Sequence, residues 1–169
     1  MLIDKTEIAV HREISTSLRD AKINPFINDA EFLDVRPLLG ADFYTILKTD
    51  FAEAIFQDIL LPKEYTYNGK QYSHAGLNKV LSLYSYSRYI LHGGFTDTSH
   101  GFVEKSSQDS QAVSESQKRN IHKQDRQAAR QYFDDIGLFI SRFPDVYPTF
   151  RSGCSTVSNG GFRMTKITK

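Results

Sequence analysis

Apolar positions recur at three- and four-residue intervals through most of the chain, and in one short stretch they alternate instead. Ile8, Val10 and Ile14 open the pattern behind a helix start at Asp4 or Thr6, and Ser15, Thr16 and Ser17 weaken its end. Phe26, Ile27, Ala30, Leu33 and Leu38 predict a helix over residues 25–39, and Phe43, Ile46 and Leu47 predict another over 41–49. A sharp corner is expected between them. Pro37 lacks the amide for the helical ladder and pushes Arg36 towards an extended conformation, while Gly40 takes the positive φ that turns the chain. Asp42 then opposes the dipole of the new helix. A third apolar stretch, from Phe51 to Leu60, stops at Pro62.

Between Tyr65 and Ser73 the period changes. Aromatic and β-branched residues flank Asn68-Gly69, a pair that readily adopts positive φ at both turn positions, so a two-residue hairpin leaning on the helical body or a neighbour is expected. Ser73 is placed to cap a central helix over 74–91, with Leu77, Val80, Leu81, Tyr84, Arg88 and Leu91 along one side and Gly93-Gly94 at its end. Residues 104–118 are polar and read as a solvated linker. Ser114 then starts a long helix to about Phe143, its stripe running through Ile121, Ala128, Ala129, Tyr132, Phe133, Ile136, Phe139, Ile140 and Phe143. Gly137 interrupts it at a cost of about 1 kcal/mol relative to Ala. The expected class is therefore mainly α: a bundle of four to five helices with a small β-hairpin, in a domain of residues 1–150, followed by an extended basic tail over 151–169.

Composition narrows what this frame can do. With 21 basic against 20 acidic residues, no overall charge drives the chain towards DNA or anionic lipid. Cys154 is the only cysteine, which excludes an internal disulfide and a cysteine-based zinc cluster. No apolar run reaches the roughly 20 residues that span a bilayer, so no membrane partner is expected and synthesis is placed in the cytoplasm. The five histidines, His11, His74, His92, His100 and His122, include no pair at a three- or four-residue helical spacing, so no metal is expected. His92-Gly93-Gly94 has no Gly-x-Ser-x-Gly partner, and P-loop, dinucleotide and EF-hand motifs are absent. No enzyme activity and no cofactor are expected.

Four landmarks in order carry a more specific message: the segment from Asn24 to Leu47, the Thr96-Asp97-Thr98-Ser99-His100-Gly101-Phe102-Val103 stretch, the Val113-Ser114 helix start, and the ending Tyr147-Pro148-Thr149-Phe150. Together they resemble the head-tail connector proteins, also called head-completion or adaptor proteins, of tailed bacteriophages, especially of the Bacteroides group. The resemblance implies a structural virion protein at the head-tail junction, made in the bacterial host. It would form a ring of identical subunits, a dodecamer, that binds the portal and further connector or tail proteins and surrounds the exiting DNA.

Candidate contacts follow from both readings. Phe102 and Val103 are large apolar residues in an expected loop, placed either as a lid on the core or against a partner. Tyr147 and Phe150 belong to the shared ending. Arg151, Arg163, Lys166 and Lys169 have no acidic neighbour in the tail and suit a polyanion; the interspersed Phe162 and Met164 favour docking on an acidic protein surface, with a frayed terminus as the plain alternative. The competing function is a small helical nucleic-acid-binding protein, a packaging or regulatory factor. It would use Lys118, Arg119, Lys123, Arg126 and Arg130 on the long helix, a row interrupted by Asp125.

Overall fold

Asp4 begins the first helix by accepting the amides of Thr6 and Glu7 at 2.9 and 3.1 Å, and α1 runs over Lys5–His11 with Ile8 buried and Val10 exposed. The computed structural model describes residues 1–98, 101–104 and 113–150, and only the backbone of 95–98 and 101–104. α2 spans Asp20–Asp29, so it begins five residues before the expected start and carries Pro25 in its interior, where the buried Ile23 and Ile27 anchor it. A π-helical stretch, Ala30–Val35, continues it without a break into α3, Arg36–Leu39.

The expected break at Pro37 is corrected here, because Arg36 is helical at φ −55°, ψ −44°. Proline clashes with the carbonyl four residues back, which is that of Leu33, and the widened turn falls at that position. The Arg36 amide reaches the Glu31 carbonyl, five residues back, as a π turn requires. The corner comes instead at Gly40, whose φ of +84° was expected and which separates α3 from α4, Ala41–Thr49, with Asp42 in its first turn. α5 covers Ala54–Leu60.

β1, Lys63–Tyr67, and β2, Lys70–His74, pair antiparallel with Tyr67 opposite Lys70, and Asn68 and Gly69 at the tip both have positive φ. Arg142 fastens this hairpin to the helical body. Its guanidinium lies 3.7 Å from the Tyr72 ring centroid and 5.1 Å from that of Tyr67, and it donates to the Tyr65 hydroxyl at 2.7 Å. Ser73 is not the cap of the next helix: β2 continues through His74, and α6, Leu77–His92, starts behind Gly76. β3, Phe95–Thr98, and β4, Gly101–Glu104, form a second antiparallel hairpin where a loop was expected, with Asp97 opposite Phe102.

α7, Glu115–Arg142, opens on a capping box between Ser114 and Gln117, as the sequence predicts, and passes through Gly137 without interruption. α6 is the central element, packed by α1, α2, the π-helical stretch, α5 and α7. Its small buried Ser82, Ser85 and Ser87 admit close neighbours, and His122 on α7 contacts the Ser87 carbonyl at 2.9 Å. The fold is mainly α with two small β-hairpins among the described residues, and the divisions at Gly40 and at residues 50–53 fall where the sequence separates the expected stretches. The tail over 151–169 lies outside the described residues.

Candidate functional site

The π-helical stretch turns Glu31 and Asp34 inward with Ala30 and Val35, and leaves Phe32 and Leu33 outside. Glu31 is fully buried: its Oε1 accepts the Leu2 amide, and its Oε2 accepts the Tyr44 hydroxyl at 3.0 Å and Lys48 Nζ at 3.2 Å. Asp34 is also buried and receives Arg88 of α6 at 2.7 Å and Arg126 of α7 at 2.8 Å. Two carboxylates thus tie one turn to the N-terminal segment, α4, α6 and α7. Burial pushes the Tyr44 phenol up. Burial also works against the Lys48 charge, but hydrogen bonds to Tyr44 and Glu31 outweigh it and hold the ammonium above its ordinary value.

On the outer side of the same turn, Phe32 and Leu33 are 46% and 60% exposed. The Phe32 ring meets Tyr44 edge-on at 5.9 Å, with Lys48 Nζ 4.9 Å from its centroid and Arg36 Cζ at 6.0 Å. Phe32, Arg36, Tyr44, Thr45, Lys48 and Thr49 line a groove of about 340 Å³. The two threonine hydroxyls donate to the carbonyls of Ala41 and Thr45, four residues back in each case. The groove therefore offers an aromatic floor and two cations. It sets no nucleophile beside a base, since the Glu31 carboxylate is engaged with three donors beneath it. This is the chemistry of a contact face for apolar and acidic protein surface.

A second cleft, about 480 Å³, lies between the first hairpin and α7 and is lined by Pro62, Lys63, Glu64, Ser73, His74, Ala75, Tyr132 and Asp135. His74 is 5% exposed, and its ring centroid sits 4.7 Å from that of Phe139. Nδ1 accepts the Gly76 amide at 3.3 Å. Burial lowers its pKa below the ordinary 6.5, with Lys63 adding to the effect and Asp135 and Asp58 opposing it. A proton binds the unfolded chain more readily, so this contribution to stability is complete above pH 6.5 and is lost as the pH falls below it. Chemical denaturation between pH 7.5 and 5 is expected to show this acid branch, and His74→Asn, which keeps an acceptor near Gly76, is expected to flatten it. An unaltered branch in the variant would assign the loss elsewhere.

The residues singled out by sequence are dispersed. Tyr147 is 4% exposed, donates its hydroxyl to the Ile55 carbonyl at 2.9 Å, and packs 6.2 Å from Phe43; burial pushes its pKa up to about 12. Phe150 lies 5.4 Å from Phe43. Tyr147 is therefore part of the core, and Phe150 is packed against it. Phe102 and Val103 lie on β4, with only their backbone described, and Arg151, Phe162, Arg163, Met164, Lys166 and Lys169 fall outside the described residues. Of the basic row on α7, Arg126 is held by Asp34, Arg130 pairs with Asp134 at 3.3 Å, and Lys118 is buried. Asp125 is itself buried against Arg12, and that hydrogen bond raises the Arg12 pKa. Lys118, Asp125 and Arg126 lie against the bundle, whereas Arg119, Lys123 and Arg130 are exposed on α7. Among the described residues, no three His, Cys, Asp or Glu side chains gather as metal ligands, and no helix is long and apolar enough to cross a membrane.

Sequence reading missed Glu31, Asp34, Phe32, Arg36 and Lys48 as a functional group. The available signal was two acids in phase with Ile27 on the inward line of the helix. Residues 35–160 match a family of unknown function, DUF6712. No curated protein and no solved structure matches the chain.

Proposed function

The chain belongs to DUF6712, a family of unknown function, and we propose that it is a structural assembly subunit: a head-tail connector of a tailed bacteriophage, working as a ring. The observation that carries this reading is the display of Phe32 and Leu33, flanked by Arg36 and Lys48, on a turn braced from beneath by Glu31 and Asp34. Exposed aromatic and leucine side chains on a rigid support suit a permanent protein contact, because little side-chain freedom remains to be lost on binding. The order of sequence landmarks supplies the phage context. In this reading identical subunits join head to tail around a closed ring, the portal holds the ring to the capsid, and DNA passes through without being read by sequence. The work is binding, with no bond made or broken.

Full-length protein mixed with the portal of the same phage or prophage is expected to form rings on the portal in negative-stain electron microscopy. Phe32→Ser with Leu33→Glu is expected to abolish rings or portal binding while shifting the melting temperature by no more than about 3 °C, since Phe32 is 46% and Leu33 60% exposed. A wild-type chain that stays monomeric and ignores the portal overturns the connector reading. A double variant that assembles normally removes this face from it.

A further inference from the structure

We propose that the outward face of α7 between Arg119 and Arg130 is a sequence-independent contact for duplex DNA. Arg119, Lys123, Arg126 and Arg130 recur at intervals of four, three and four residues, so they share about 60° of arc and about 16 Å of the helix axis. Asp125, which interrupts this row in the sequence, is 5% exposed and held by Arg12 at 2.6 Å, on the side of the helix that meets the bundle. It is the only acid between Glu115 and Asp134, so the exposed surface of that stretch carries none. The face therefore has one sign of charge. Arg119 and Lys123 are exposed and make no ion pair among the described residues. Arg126 shares Asp34 with Arg88, and two guanidiniums against one carboxylate leave a surplus positive charge, with 38% of the Arg126 side chain exposed. Arg130 pairs with Asp134, but both ends are more than half exposed and such a pair is weak, so a phosphate can take the place of the carboxylate.

Beside the cations runs a second row at the same spacing: Asn120, Gln124, Gln127 and Gln131, all exposed. Each follows its basic neighbour by one residue, about 100° round the helix. Their amides donate and accept without placing a negative charge beside a polyanion. Cations along a phosphate line, flanked by amide donors, are the contacts that position a protein on a duplex without reading its bases. One DNA strand carries a phosphate about every 3.4 Å of axis, so about 16 Å of α7 spans roughly five of them. An acidic protein surface fits less well, because a protein contact is anchored by buried apolar side chains. Among the described residues, none of the exposed large apolar side chains lies between Val113 and Leu138. This inference stands independently of the assembly reading, which turns on the portal and the Phe32 face.

Fluorescence anisotropy of a labelled duplex of about 20 base pairs, titrated with full-length protein, tests it. A dissociation constant of about 10⁻⁵ M is expected at about 50 mM salt, equal within about twofold for two unrelated sequences, with a slope of log K against log salt of about −3 to −4. Arg119→Gln with Lys123→Gln and Arg130→Gln is expected to weaken binding at least tenfold and to flatten the slope to about −1. Gln124→Glu with Gln127→Glu leaves every cation in place and is expected to weaken binding at least fivefold by repulsion. The circular dichroism spectra of both variants are expected to match wild type, because all five side chains are exposed. Arg163→Gln with Lys166→Gln is expected to change affinity by less than about twofold. No binding at this salt, a triple variant that binds as wild type does, or a loss that follows the 163 and 166 changes instead overturns the α7 contact. Poly-glutamate that displaces the labelled duplex as well as unlabelled duplex of equal charge overturns DNA as the occupant and places an acidic protein there.

Discussion

Glu31→Ala is expected to lower the unfolding free energy by about 3 kcal/mol, measured by urea denaturation with an unchanged m-value. The fully buried carboxylate serves three donors, and its removal strands the Leu2 amide and the Tyr44 hydroxyl proton and leaves Lys48 Nζ only its bond to the Tyr44 oxygen. The loss sits at the lower end for a broken buried pair because the Lys48 side chain is 36% exposed and recovers some hydration. Lys48→Met is expected to cost a comparable amount, since it leaves the Glu31 charge without its cation. Glu31→Gln keeps an acceptor and is expected to cost less than either. The double variant Glu31→Ala with Lys48→Met is expected to fall well short of the summed single losses, because each change removes the same interaction. A loss below about 1 kcal/mol for Glu31→Ala would mean that water reaches this carboxylate, and the bracing role would fall with it.

Gly76→Ala is expected to destabilise the chain by more than Gly40→Ala, by about 3 kcal/mol or more against about 1–3 kcal/mol. Both glycines share a backbone that side chains rarely adopt, at φ +82°, ψ 149° and φ +84°, ψ 147°. Their surroundings differ. An added Cβ at Gly76 falls 2.5 Å from the Leu60 carbonyl oxygen and 2.6 Å from Leu61 C, whereas at Gly40 nothing lies within 4 Å. The obstruction at Gly76 is backbone, which cannot swing aside as the end of a flexible side chain does. Thermal and urea unfolding of the two variants checks the order, and equal losses would show that strain alone governs both positions.

How much of this was legible depended on whether the signal was local. Asn68-Gly69 specified its own turn, Asp4 its own cap and Ser114 its capping box, because each acts within a few residues of itself. The face around Phe32 was not legible for the opposite reason. Leu33 shares a helical line with Phe26 and Ala30 and reads as core, but the line that enters the core runs through Ile23, Ile27, Glu31 and Asp34. An acid reads as surface unless its partner is known, and the partners of Asp34, Arg88 and Arg126, come from α6 and α7. Ser73 misled for a related reason: it is a good cap by type, but the strand pairing of His74 with Lys63 holds its backbone extended. The second hairpin offered no Asn-Gly pair at its tip, only Ser99-His100 between Thr98 and Gly101.

The π turn also fixes a phase. It holds one residue more than an α-helical path of the same height needs, so every residue from Arg36 onward is rotated by about 100° from where an unbroken α-helix would put it. Leu39 reaches the core, and Gly40 points the chain into α4, only with that rotation in place. Shortening the segment by one residue would leave its composition almost untouched while turning the corner, and everything hung from it, to a different compass bearing.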